Sequence, residues 1–196
     1  IYLISPNRIS KNFLRDLKSV LETKKVGIFQ MRLKKYSLRQ KILIGKKIKN
    51  ICEANKVCFL VNDDPWLAKK LDADGCHLGQ NDMDISNAKK ILKNKIIGVT
   101  CHNSIKLAKY ASSNGANYIA VGAFYKTRTK KVIHKADIKT LNKIKKSVKI
   151  PVVAIGGINH KNYKKLLLNK ADFLAISGYV WKNEKLKPYQ AIRRLK

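Results

Sequence analysis

Along the segment Val26 to Lys34, the residues Gln30, Arg32 and Lys34 recur with period two, so in an extended strand they project from one face while Phe29, Met31 and Leu33 project from the other. A forked guanidinium beside a point-charge ammonium at one strand end suits a polyphosphate, because the first gives paired hydrogen bonds and the second an undirected attraction. Solvated surface cations would look the same in isolation, so the acids must be weighed with them. Six of the twelve acidic residues, Asp63, Asp64, Asp72, Asp74, Asp82 and Asp84, fall within one short stretch of a chain whose net charge is +31. Asp63 and Asp82 each follow a β-branched or apolar run, which places two carboxylates over one side of a shared mouth. Such a pair suits a magnesium ion, Mg2+, which typically takes one or two carboxylates and completes its shell with water and phosphate oxygens. Asp72 and Asp74 are expected to cap or solvate a turn, and capping of the segment Ile85 to Leu92 is the plainer alternative for Asp82 and Asp84.

Further along, Thr127-Arg128-Thr129-Lys130 puts two hydroxyls and two cations in a loop with no apolar residue, as an anion-binding or lid loop would. Gly156-Gly157 and Ser177-Gly178 are suited to bringing backbone N–H groups close to an anion. His77 and His102 have no partner at nucleophile or metal-ligand spacing, and no Ser/His/Asp order or zinc pattern emerges. Cys52, Cys58, Cys76 and Cys101 form no C-x-x-C pair and are expected to pack as small hydrophobes.

The elements that must carry these groups alternate short β-branched runs with amphipathic segments. Eight strands are predicted, at Ile1–Ser5, Val26–Arg32, Val57–Asn62, Gly75–Leu78, Ile96–Thr100, Tyr118–Gly122, Val152–Ile155 and Phe173–Ile176. Helical faces follow, such as Phe13, Leu14, Leu17, Val20 and Leu21, or Ile85, Ala88, Ile91 and Leu92. Eight such units in residues 1–196 favour a single (β/α)8 TIM barrel over a flavodoxin-like open sheet, which more often has five or six strands. Chemistry then belongs at the C-terminal ends of the strands, with loops seven and eight as the usual phosphate site. No stretch approaches the roughly 20 apolar residues of a membrane span, and Ile1 to Ser5 lacks the basic start of a signal peptide, so a cytoplasmic protein is expected. Because the sequence opens on Ile1 rather than Met, a short segment ahead of it is allowed for. The charge attracts polyanions of every kind without choosing among them, and a solvated basic surface is the simpler reading.

Taken together, Gln30-x-Arg32-x-Lys34, Asn62-Asp63, His77-Leu78-Gly79-Gln80-x-Asp82-Met83, Ile97-Gly98-Val99-Thr100, Thr127-x-Thr129-Lys130 and Ala154-Ile155-Gly156-Gly157-Ile158 resemble the thiamine phosphate synthase family, in the family's order and over nearly the whole chain. The resemblance implies a transferase that joins hydroxymethylpyrimidine pyrophosphate to hydroxyethylthiazole phosphate and releases pyrophosphate with the help of magnesium. Carried over by motif, Gln30, Arg32, Lys34 and Lys130 would hold the pyrophosphate, with Arg32, Lys34 and Lys130 as the catalytic cations. Asn62 and Thr100 would hold the pyrimidine substrate, and Asp63 and Asp82 the metal. Thr127, Thr129, Gly157, Ile176 and Ser177 would receive the thiazole phosphate. The implied partners are small phosphorylated molecules, with no specific nucleic acid and no membrane, and a homo-oligomer is left open.

Leu33 stands where the family commonly has Glu, Asp64 where it has Arg, and Ala123 and Lys126 where it has proline. The loop between Lys131 and Asp137 lacks a usual glycine, and the serine of the last strand motif aligns at Ser177 or one position later. A thiazole tautomerase-like isomerase is the nearest rival, but its relatives carry a histidine beside the glycine that ends strand six, where Ala123 follows Gly122 here. A non-enzymatic RNA-binding barrel would use the charge but leave Asp63 and Asp82 without a role.

Overall fold

The protein is described by a computed structural model over residues 1–127 and 133–195. Eight parallel strands close into a barrel in sequence order. They are β1 (Tyr2–Ile4), β2 (Ile28–Met31), β3 (Cys58–Asn62), β4 (Gly75–Leu78), β5 (Ile96–His102), β6 (Tyr118–Gly122), β7 (Val152–Ile155) and β8 (Phe173–Ile176). Closure is made by β1 against β8, with Tyr2 opposite Ala175 and Leu3 opposite Ile176. Helices α1 (Phe13–Leu21), α2 (Leu38–Ala54), α3 (Pro65–Lys70), α4 (Ile85–Leu92), α5 (Ile105–Ser113), α6 (Ile138–Ser147) and α7 (Tyr163–Leu168) follow the first seven strands, and α8 (Gly178–Trp181) and α9 (Pro188–Arg193) follow the eighth.

Three strands, β1, β2 and β3, are shorter than their predicted runs, and β5 is longer. Beyond Met31, the N–H of Arg32 donates to Ser5 Oγ at 2.8 Å instead of to a neighbouring strand, which ends β2 before its arginine. β5 runs on to His102 through a register shift after Thr100, so His102 belongs to the strand and adopts φ 53° at its end.

The pleat sorts side chains into two cores. Inside the barrel lie Tyr2, Ile4, Leu60, Tyr118, Ala120, Val153 and Ala175. Between strands and helices lies the larger core, to which α1 contributes Phe13, Leu17, Val20 and Leu21, while Phe29 and Met31 of β2 face it from the sheet. Burying a side chain of this size contributes roughly 1.5–3 kcal/mol, so the outer shell supplies most of what holds the helices on. Gly98, opposite Tyr118 on the inward face, leaves room for a ring: a Cβ there would stand 1.9 Å from Tyr118 Cζ.

Several polar residues serve the elements. Asp64, Asp84, Ser104 and Asp137 accept backbone N–H bonds at the starts of α3, α4, α5 and α6, and Ser37 with Gln40 forms a capping box on α2. Asp72 pairs with Lys49 and Lys95 on the surface, and Asp74 accepts from the N–H of Phe59 at 2.7 Å. Four of the six clustered acids are thereby used structurally, and Asp63 and Asp82 remain. All four cysteines are free thiols; burial pushes Cys52, Cys58 and Cys101 up to about 12. They are unreactive packing residues.

Candidate active site

The C-terminal mouth of the barrel opens into a cleft of about 1080 Å³. Strand direction decides what lines it. The inward face of β2 ends in Gln30, and Arg32 and Lys34 continue the same alternation into the loop, so all three reach the cleft, while Leu33 points away into the outer core at 4% exposure. Around position 33 a small cavity is lined by Met31, Val61 and Leu67 together with Lys41 and Asp64, and the leucine packs on the apolar side chains among them. Asn62, Asp63, Asp82, Thr100, Thr127, Gly157, Ile176 and Ser177 also line the cleft. Thr129 and Lys130 lie outside the described residues.

On one wall Gln30, almost fully buried, donates from Nε2 to Asn62 Oδ1 at 2.9 Å. Beside this amide pair, the Arg32 guanidinium is anchored by Asn7 Oδ1. Burial lowers the affinity of Arg32 for its proton, and the nearby charges of Asp63 and Asp82 act in the opposite sense. Lys34 Nζ stands 3.1 Å from Asp63 Oδ2. Asp63 adopts φ 68°, the left-handed region that Asp tolerates better than most residues, and its N–H donates to the carbonyl of His77 at 2.8 Å. That local turn swings its carboxylate from β3 toward the loop after β4.

Asp82 does not cap α4, since Asp84 does; its Oδ2 accepts from the N–H of Gly79 at 2.7 Å. A Cβ on Gly79 would stand 2.8 Å from that oxygen, so a larger residue there would have to displace the Asp82 carboxylate from its present position. Burial raises the Asp82 carboxyl above its ordinary range, as does its hydrogen bond with Asp63, while the Gly79 N–H opposes the shift. Carboxylates this close repel unless a proton or a cation lies between them. Two oxygen donors facing an anion clamp fit a magnesium ion shared with substrate phosphate, and they do not amount to a dedicated cage. Among the described residues no group of three or more His, Cys, Asp or Glu side chains could hold a metal by itself.

The opposite side of the mouth is built by loops seven and eight. Gly156 and Gly157 take φ 108° and 64°, and a Cβ on Gly157 would stand 2.3 Å from the carbonyl oxygen of Lys126. The loop after β7 therefore lies directly against the loop after β6. Ala123 exchanges backbone hydrogen bonds with His134 and Ala136 at 3.0 Å each, holding that loop's base without a proline. Ser177 Oγ donates to the carbonyl of Ser5 at 3.3 Å, tying loop eight to loop one across the barrel closure. Lys182 and Lys185 also line this side. Their cations were not legible as site residues because lysine is so common in the chain.

His77, which has no partner at close sequence spacing, gains two in the fold. It lies inside β4 with Nε2 2.8 Å from Thr100 Oγ1 and Nδ1 2.9 Å from Tyr118 Oη, and burial holds it down at about 4, so it is neutral at pH 7. Its partners are 23 and 41 residues away, and only barrel registration brings them together.

A family model described as thiamine monophosphate synthase matches residues 1–180. The chain is 64% identical over 197 residues to a thiamine-phosphate synthase of Pelagibacter ubique (strain HTCC1062), covering all of this chain and 95% of that one. It is 39% identical to a thiamine-phosphate synthase of Erythrobacter litoralis (strain HTCC2594), over 97% of this chain and 92% of that one. Among solved structures it resembles a thiamine phosphate pyrophosphorylase from Pyrococcus furiosus, with a TM-score of 0.86 and 34% identity over 99% of this chain and 92% of that one. A 3-hexulose-6-phosphate synthase, at 15% identity and a TM-score of 0.71, shares the barrel alone. With a family match over most of its length and relatives aligned from end to end, the chain belongs to the thiamine monophosphate synthase family.

Proposed function

We propose that this protein is a thiamine phosphate synthase that joins hydroxymethylpyrimidine pyrophosphate to hydroxyethylthiazole phosphate. The observation that carries the reading is the juxtaposition, in one mouth, of the Gln30, Arg32 and Lys34 row with the Asp63 and Asp82 pair, linked through the 3.1 Å contact of Lys34 to Asp63. In the reaction the bond between the pyrimidine methylene carbon and the pyrophosphate oxygen breaks, and its electron pair leaves with pyrophosphate. The lone pair of the thiazole nitrogen forms the new carbon–nitrogen bond. No nucleophile from the protein is required, because the thiazole nitrogen is itself the nucleophile.

Arg32 and Lys34 would supply fixed positive charge where the leaving group develops negative charge, with no reorganisation needed at that moment, and Lys130 would add its charge to theirs. Gln30, Asn62 and Thr100 orient the pyrimidine, so that part of the entropic cost of bringing two substrates together is met on binding. Asp63 and Asp82 would hold Mg2+, which when bound would neutralise pyrophosphate oxygens and improve the leaving group. Thr127, Thr129, Gly157, Ile176 and Ser177 would seat the thiazole phosphate, with Lys182 and Lys185 adding charge nearby. Small phosphorylated molecules are thus the partners. No helix among the described residues is long and apolar enough to cross a membrane.

Lys130→Ala and Thr129→Ala separate the two ends of the site. Lys130→Ala is expected to lower kcat more than it raises the KM for the thiazole phosphate, and Thr129→Ala to do the reverse. If steady-state kinetics showed both variants altering only that KM, Lys130 would belong to the thiazole phosphate site.

A further inference from the structure

The floor of the mouth holds polar groups that the pyrophosphate and metal assignments leave unused. Tyr2 Oη lies 2.7 Å from Tyr118 Oη, Tyr118 Oη 2.9 Å from His77 Nδ1, and His77 Nε2 2.8 Å from Thr100 Oγ1. The chain climbs from the barrel interior, where Tyr2 is 1% exposed and Tyr118 5%, to the cleft that Thr100 lines. Its hydrogens can be ordered from the buried end. Among the described residues, Tyr118 Oη is the acceptor that the Tyr2 hydroxyl reaches, and apolar side chains such as Ile4, Leu60 and Val153 share its core. A buried O–H without an acceptor is costly, so Tyr2 donates to Tyr118. Tyr118 must then spend its own proton on His77 Nδ1. A neutral imidazole that accepts at one nitrogen carries its proton on the other, so Nε2–H donates to Thr100 Oγ1. The Thr100 oxygen is thereby occupied as an acceptor, and among the described residues its hydroxyl hydrogen is left to point toward the cleft.

We infer that Tyr118 is a positioning residue which, through the tautomer of His77, fixes Thr100 as a hydrogen-bond donor and sets the site to select a heterocycle presenting a ring-nitrogen acceptor. The inference rests on the joining reaction proposed above for its substrate and deepens it. Gly98 supplies independent support. A Cβ there would stand 1.9 Å from Tyr118 Cζ and 2.3 Å from its Oη, so β5 gives up a side chain where the tyrosine crosses toward β4. The Tyr118 and His77 rings lie nearly parallel, 22° apart with centroids at 5.6 Å, which restrains the imidazole plane as well as its proton. Selection follows because an analogue without the acceptor would leave the Thr100 donor unpaired in a desolvated site.

Two measurements on the intact enzyme test this. Nitrogen-15 NMR of His77 in the unliganded wild-type protein is expected to show the Nε2–H tautomer; the Nδ1–H tautomer would overturn the inference, and no substrate is needed for this result. In kinetics, Tyr118→Phe is expected to raise the KM for the pyrimidine pyrophosphate about tenfold, with a smaller change in kcat and none in the KM for the thiazole phosphate. An analogue with C–H in place of the selected ring nitrogen should be disfavoured by the wild type and much less so by Tyr118→Phe. Equal changes in both Michaelis constants, or unaltered discrimination, would reduce Tyr118 to a packing residue. If no joining activity were found at all, the proposed function would fail while the tautomer measurement still decided the role of Tyr118.

Discussion

Asp63 is where the charges of the mouth meet, with Lys34 on one side and Asp82 on the other. The side chains of Lys34 and Asp63 are 50% and 30% exposed, so their ion pair contributes little to folding, of order 1 kcal/mol or less. Asp63→Asn should therefore cost at least about a hundredfold in activity while shifting stability by less than about 1 kcal/mol. Activity assays beside urea unfolding check both halves, and a variant as active as its parent would remove Asp63 from the proposed metal site. His77 behaves differently because it is buried. Its folded-state value of about 4 lies below the 6.5 of an exposed histidine, so between those values the unfolded chain holds more protons than the folded one. Stability should therefore fall as pH drops through that window, by up to about 3 kcal/mol from this group. Unfolding free energies from pH 7 to 4 should show that loss, and His77→Gln should flatten it. Asp63 was legible in the sequence because acids are scarce there. His77 was not, because its meaning lies in partners supplied by β5 and β6.

At the scale of elements, alternation along β2 was readable because the two faces of a barrel strand meet different environments, polar at the mouth and apolar beneath the helices. What could not be read was how far each ladder runs. β2 stops short of Arg32 because Ser5 captures the N–H, and β5 continues because a register shift lets it. Both depend on a neighbouring strand rather than on local propensity. Gly98 is a sharper case. In the sequence it is one small residue in the run Ile97-Gly98-Val99-Thr100, and in the barrel it is the space occupied by Tyr118. Gly98→Ala is expected to destabilise the protein by about 1–3 kcal/mol, as overpacking of a core does, and to raise the pyrimidine KM by displacing Tyr118 from His77. A variant with unchanged Tm and kinetics would mean that the ring relaxes without consequence.

For the whole molecule, closure of β1 on β8 brings loop one beside loop eight, so that Ser177 reaches Ser5, while on its other side β1 lies against β2 and Asn7 holds Arg32. The barrel was legible from the count of βα units, whereas these cross-ring contacts join residues too distant in sequence to be paired by spacing. The +31 charge stands apart from that design. Any attraction to RNA is expected to lack sequence preference and to collapse as salt approaches physiological strength, which a filter-binding salt titration would show. The joining reaction is a property of the complete mouth, because only a joining reaction needs a pyrophosphate clamp, two carboxylates for a metal and a separate single-phosphate site together. The direct measurement supplies both substrates with magnesium and quantifies thiamine phosphate and pyrophosphate, alongside reactions lacking each substrate. Equal amounts of the two products, absent from both controls, are predicted; conversion of the thiazole phosphate alone, with the pyrimidine pyrophosphate left intact, would contradict the account.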